Sequence, residues 1–224
     1  MLGDIDAQVR SPDEVWQELG LLKETQPMRL AGRIQVGRGR LGGLIDAPYG
    51  AYDPEALQAV HGEIWAVLSV ENQTNFHALA REMAELPILL LYTAGMPSPA
   101  WCRAYRRLLA SVPSETALLH WGDIDEGGFR IAARLAEEAV ATNLTLQPFL
   151  MDPERIPASI STDKAASSTV RLMAWHAKRA GWESLIERIK TCGVTLEQEA
   201  FLMFDNGGAG QIIQALRARV QRPA

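Results

Sequence analysis

The sequence predicts an α/β fold: a Rossmann-like, mostly parallel sheet flanked by helices, with a helical C-terminal part. Three observations carry this. Short continuous apolar runs recur at 64–70, 87–92, 117–121 and 144–147. Helical stretches separate them, as in βαβ units. The runs are apolar at successive positions rather than alternate ones, the pattern of strands covered on both faces. The chain of 224 residues is 47% apolar and 22% charged, enough for one large core and ordinary for a globular chain.

The elements follow in order. Ser11-Pro12-Asp13-Glu14 is a capping box with Pro at the first helical position, opening a helix to about residue 22. Residues 29–36 read as a strand, and the glycine-rich 37–43 as a turn or loop that lacks the Gly-Lys-Ser/Thr of a P-loop. Asp53-Pro54-Glu55 opens a short helix. After the strand at 64–70 come a helix at 74–84, a strand at 87–92, a helix from Ser98-Pro99 to about 110 and a strand at 117–121. The helix at 127–140 places Phe129, Ile131, Ala132, Leu135 and Ala139 on one face. Beyond the strand at 144–147, helices are expected at 169–180, 182–191 and 195–204, with stops at Gly181 and Gly193. A last helix covers 209–221. Residues 1–60 form an N-terminal extension packing on the core, and 61–224 the sheet domain with its C-terminal helices.

Composition excludes some functions. Twenty-seven acids against 22 bases give a net charge of −5, which argues against a basic wrapper of nucleic acid. The longest apolar run is far shorter than the roughly 20 residues of a membrane span. Met1-Leu2-Gly3-Asp4-Ile5-Asp6 has neither the basic nor the apolar region of a signal peptide. Cys102 and Cys192 make no disulfide or zinc framework, which fits the cytoplasm.

Ligands of an open parallel sheet bind beyond the carboxyl ends of its strands. Those ends carry Glu71-Asn72, then Thr93-Ala94-Gly95, then Gly122-Asp123-Ile124-Asp125-Glu126-Gly127-Gly128. Glu71, Asp123 and Asp125 are therefore expected on one edge. Clustered carboxylates repel unless protonated or neutralised by a cation. Oxygen donors without His or Cys favour Mg²⁺ or Mn²⁺ over zinc, and with them phosphoryl transfer or phosphodiester hydrolysis. The competing reading of Asp125 is a cap on the helix that follows.

Three phrases sharpen the reading: Val70-Glu71-Asn72-Gln73-Thr74-Asn75-Phe76, Tyr92-Thr93-Ala94-Gly95-Met96-Pro97-Ser98, and His120-Trp121-Gly122-Asp123-Ile124-Asp125-Glu126-Gly127-Gly128. Together they resemble a TOPRIM domain, with its Glu after one strand and Asp-x-Asp after a later one. More narrowly they resemble the C-terminal family of Wadjet JetD, a relative of the topoisomerase VI A subunit. Leu196-Glu197-Gln198-Glu199 resembles a phrase near the end of that domain. The likeness covers about 25–205 and is strongest at 64–130. It departs in having Ala94 where Gly is frequent, and a short segment before the Glu71 strand, as in an excised domain or a short relative.

The resemblance implies a metal-dependent DNA endonuclease acting with an SMC-like condensin complex against plasmids, on double-stranded DNA and as a homodimer. Glu71, Asp123 and Asp125 would bind Mg²⁺ or Mn²⁺, with Glu71 assisting proton transfer at the attacking water. Glu197 and Glu199 are candidates for a second metal. Asn72, Gly127 and Lys164 are candidates for substrate contact, Lys164 as a cation facing phosphate. His77 and His120 read as structural histidines, Arg103, Arg106 and Arg107 as a solvated helix face, and Trp65, Trp121 and Trp175 as core or edge packing. Two other functions stand beside this one. A topoisomerase-like module would need a nucleophile among Tyr49, Tyr52, Tyr92 and Tyr105. A non-catalytic assembly module would dock through Phe201-Leu202-Met203-Phe204 and the closing helix.

Overall fold

The computed structural model describes residues 26–203 and 208–220. Its strands are β1 (Met28–Ala31), β2 (Gln35–Arg38), β3 (Leu41–Leu44), β4 (Gly50–Tyr52), β5 (Ala59–His61), β6 (Ala66–Val70), β7 (Ile88–Tyr92), β8 (Ala117–Trp121), β9 (Leu146–Pro148), β10 (Asp163–Lys164) and β11 (Val194–Thr195). Its helices are α1 (Gln73–Met83), α2 (Pro99–Leu109), α3 (Glu126–Ala139), α4 (Ser167–Arg179), α5 (Glu183–Cys192), α6 (Ala200–Met203) and α7 (Gly208–Val220). The main sheet runs β4-β1-β7-β6-β8-β9. Its β7-β6-β8-β9 part is parallel, and β1 and β4 extend it antiparallel. The expected α/β architecture is therefore the observed one.

The apolar runs explain the layering. Every residue of β6 is buried, because β6 lies between β7 and β8 and is covered on both faces. Phe76, Leu79, Ala80 and Met83 put one face of α1 into the same core. Ser98 caps α2 by accepting from Trp101 N at 3.2 Å, with Pro99 at the first helical position. Among the described residues, α3 packs on α4, α4 on α5, and α7 returns to α1.

Four expectations are corrected. The strand expected at 29–36 is broken at Gly32, where φ is +118° and a Cβ would stand 2.0 Å from the Ile88 carbonyl oxygen. The glycine-rich 37–43 is mostly strand: β2 and β3 form a hairpin, completed by β5 into a small sheet. Asp53-Pro54-Glu55 makes a turn, with the Asp53 side chain accepting from Glu55 N at 3.0 Å, and Leu57 then enters the core. The helix expected at 195–204 shrinks to α6, because 194–199 is spent on β11 and on bonds to the main sheet. The predicted helix at 11–22 and the segment 204–207, Phe204 included, lie outside the described residues.

Charged residues around α2 hold the fold. Glu138 is buried and clasped by Arg106 at 3.0 Å and Arg134 at 2.7 Å. Arg103 pairs with Glu55, and Arg107 donates to the carbonyls of Leu57 and Pro54 at 2.8 and 2.7 Å. Arg103 and Arg106 are exposed, as expected of a solvated face, and with Arg107 they also tie α2 to its neighbours. Trp121 is core, whereas Trp65 and Trp175 stand exposed. No described helix is long and apolar enough to cross a membrane.

Candidate functional site

In-register parallel pairing puts the carboxyl ends of β6, β7 and β8 at one level: Val70 faces Tyr92 on one side and Trp121 on the other. The next residues on β6 and β8 are Glu71 and Gly122-Asp123. Glu71 N donates to the Trp121 carbonyl at 3.2 Å, prolonging the ladder by one rung. The Glu71 side chain then crosses to β8, where its Oε2 accepts from Asp123 N at 3.3 Å. Gly122 is required here, since a Cβ would sit 2.8 Å from Glu71 Oε2 and 2.9 Å from His120 Nε2.

Asp125 is the cap of α3: its Oδ1 accepts from Gly128 N at 2.7 Å. The capping reading of this residue is therefore true, and it does not remove Asp125 from the acidic edge. Gly127 lies in the first turn of α3, beside the Asp125 side chain.

The clasp over this edge comes from far along the chain. Ile124 and Leu196 exchange backbone bonds at 2.8 and 3.1 Å, laying 196–199 across the ends of β6 and β8. Gln198, 1% exposed, makes three bonds there. Its N donates to Asp123 Oδ1 at 2.7 Å, its Oε1 accepts from Asn72 N at 2.9 Å, and its Nε2 donates to the Trp121 carbonyl at 3.2 Å. Sequence reasoning missed Gln198; its only signal was a polar side chain between two glutamates in a phrase already singled out. The same turn brings Glu197 within hydrogen-bonding reach of the Asp123 carboxyl. Glu199 stands apart from them, accepting from Asn72 Nδ2 at 2.9 Å.

Of the predicted residues, Glu71, Asp123, Asp125 and Glu197 come together. Asn72 is occupied structurally, capping α1 through Asn75 N at 3.1 Å and holding Glu199. Lys164 is exposed on the β10–β11 ribbon opposite Val194, and among the described residues it makes no ion pair with the carboxylates. His120 is fully buried, its Nδ1 2.9 Å from Ser69 Oγ, and burial pushes its pKa down to about 3, so the ring is neutral.

The electrostatics of the edge are those of crowded like charges. Burial first, then Asp123, Asp125 and Glu197, raise the Glu71 pKa to about 7 against the pull of the Asp123 N–H. Burial, Glu197 and Asp125 likewise push Asp123 well above the carboxylate range, opposed by the Gln198 N–H. Among the described residues no three His, Cys, Asp or Glu side chains are gathered in metal-holding geometry, and Glu71, Asp123 and Asp125 each accept from a backbone N–H. The donor chemistry nonetheless suits a hard divalent cation: all-oxygen, acidic and mutually repelling.

The sign of the pH effect follows. Glu71 ionises near 4.5 when unfolded and near 7 when folded, so the fold is favoured below 4.5 and loses that advantage as pH rises through about 7. In metal-free buffer, Glu71→Gln is expected to match the wild-type Tm near pH 4.5. By pH 7.5 it should exceed it by roughly 6–12 °C, since the shift is worth about 3 kcal/mol there and each kcal/mol moves the Tm of a domain of this size by roughly 2–4 °C. Thermal melts across this range check it; a constant difference in Tm would refute the assignment.

Fold and site together define an α/β protein with an acidic centre on the carboxyl edge of its sheet. The chain belongs to the family described as Wadjet protein JetD, C-terminal, whose model matches residues 32–205. It is 25% identical over 155 residues to the Wadjet protein JetD of Bacillus cereus (strain Q1). That match covers 66% of this chain and 36% of the relative, so the chain spans little more than a third of the relative's length.

Proposed function

We propose that the chain is the TOPRIM nuclease module of a Wadjet system, a Mg²⁺- or Mn²⁺-dependent endonuclease that hydrolyses phosphodiesters of double-stranded plasmid DNA. The observation that carries this reading is the gathering of Glu71, Asp123, Asp125 and Glu197 at one sheet edge, close enough that their like charges raise the pKa of Glu71 and Asp123. Glu71, Asp123 and Asp125 would hold the cation, with Glu197 beside them. Bound there, the ion would neutralise the carboxylates and polarise a phosphate oxygen. Glu71 would take a proton from the attacking water as the P–O bond breaks. Gln198 fixes the Asp123 carboxyl by its backbone N–H.

Family membership supports the setting: a Wadjet assembly with an SMC-like condensin complex and a second copy of the chain. The free Cys102 and Cys192 suit the reducing cytoplasm. The test is metal titration. Mn²⁺ at about 100 times its Kd should stabilise the protein by about 2.7 kcal/mol and raise its Tm by roughly 5–10 °C. Supercoiled plasmid should be nicked or linearised with Mn²⁺ and spared with EDTA, in the presence of the Wadjet partners if the chain alone is inactive. A Tm indifferent to Mn²⁺ together with intact plasmid under all these conditions overturns the reading.

A further inference from the structure

Two strands from the carboxylates, a cation stands at the same sheet edge, and a second lies farther down α1, in its last turn. β1 runs antiparallel to β7, so its N-terminal end lies at the carboxyl edge, with Arg29 opposite Tyr92. The Arg29 guanidinium lies 5.3 Å from the centre of the Tyr92 ring, and its Nη1 is buried without a hydrogen-bond partner. Alongside, an open pocket of about 500 Å³ is lined by Pro48, Tyr49, Thr74, His77 and Arg81, among others. The Tyr49 ring packs against His77 with centroids 5.0 Å apart. Among the described residues no carboxylate forms an ion pair with Arg29 or Arg81, in contrast to the paired arginines of α2. The charges that reach His77 are these two guanidinium groups, which add to burial in lowering its pKa.

We propose that His77 and Arg81 of this pocket, with Arg29 nearby, form a phosphate-binding site that grips the backbone of the DNA strand near the scissile phosphate. This rests on the nuclease reading and adds where the substrate is held. The chemistry fits: cations with no carboxylate partner among the described residues take backbone phosphate. The distance fits too. β1 and β6 are two strand spacings apart, roughly 10 Å, or about three base steps at ~3.4 Å each. A strand whose phosphate lies at Glu71 and Asp123 therefore passes Arg29 within a few nucleotides. The pocket also offsets the acidic edge, which alone repels DNA.

The test is fluorescence polarisation of a labelled duplex oligonucleotide, with the full chain, in Ca²⁺ and over a range of salt. Arg81 is exposed, so its replacement leaves the fold intact. Arg81→Ala should weaken binding about 3–10-fold and lower the slope of log affinity against log salt by about one. Arg81→Glu should weaken it further, Arg81→Lys should restore most of it, and Lys190→Ala should change nothing. Affinity and slope unchanged in Arg81→Glu would overturn the pocket, as would a wild type that does not bind the duplex. Displacement by AMP beyond the effect of ionic strength would assign the pocket to a free nucleotide and overturn the DNA assignment. Loss of plasmid cleavage in carboxylate variants is read separately, so the nuclease reading can survive failure of the pocket, and the reverse.

Discussion

Asp123→Asn is expected to lower Mn²⁺-dependent plasmid cleavage by at least about a hundredfold while the protein stays folded. Asparagine keeps an oxygen for the Gln198 N–H, so the clasp over the site survives. What is lost is the charge that Glu197 and Asp125 crowd and that a cation would neutralise. The metal-free variant should therefore melt slightly above the wild type, and its Tm should respond much less to Mn²⁺. Opposite movement of metal-free stability and activity is the signature of a charged ligand rather than of a packing residue. Circular dichroism melts with and without Mn²⁺, run beside the plasmid assay, measure both. Cleavage above a tenth of wild type would remove Asp123 from the site.

Gly128→Ala is expected to destabilise the protein by about 2–4 kcal/mol and to lower cleavage in the fraction that folds. Helix propensity alone gives the opposite sign, since alanine is favoured over glycine within a helix by roughly 1 kcal/mol. Close approach decides. A Cβ at Gly128 would stand 2.1 Å from the Asp123 carbonyl oxygen and 2.9 Å from Asp123 N, and backbone cannot swing aside as a side chain can. Relief requires α3 and the 122–125 turn to separate, which moves Asp123 and loosens the Asp125 cap. The neighbouring Gly127 is the control: a Cβ there meets only the Asp125 carboxylate, at 3.2 Å, so Gly127→Ala should cost much less. Equal stability of the two variants, measured by urea unfolding, would contradict this account.

Much of this arrangement is written locally. The runs that became β6, β7 and β8 are apolar at every position, and that pattern needs both faces covered whatever the rest of the chain does. The Glu71 and Asp123-x-Asp125 positions follow from the strand ends. The clasp was not legible: Leu196-Glu197-Gln198-Glu199 is made of good helix formers, and only the vacant bonding groups on Asn72, Trp121 and Asp123, far off in sequence, draw it into an extended path. Gly32 was equally silent, because its requirement comes from the Ile88 carbonyl on another strand. The basic pocket joins Pro48 and Tyr49, just before β4, to the face of α1, a pairing that no periodicity announces.

The Gln198 clasp also sets an order of events. Its bonds link residues 126 and 75 positions apart in the chain. Such closures come late, after nearer segments have paired. As the chain leaves the ribosome, β6, β7 and β8 can pair and bury their leucines before residues 196–199 cover Glu71 and Asp123. Docking of residues 196–199 then adds Glu197 to the crowding and further covers Asp123. Nascent and incomplete chains can therefore have the sheet and three of its acids before the last quarter of the protein closes over them.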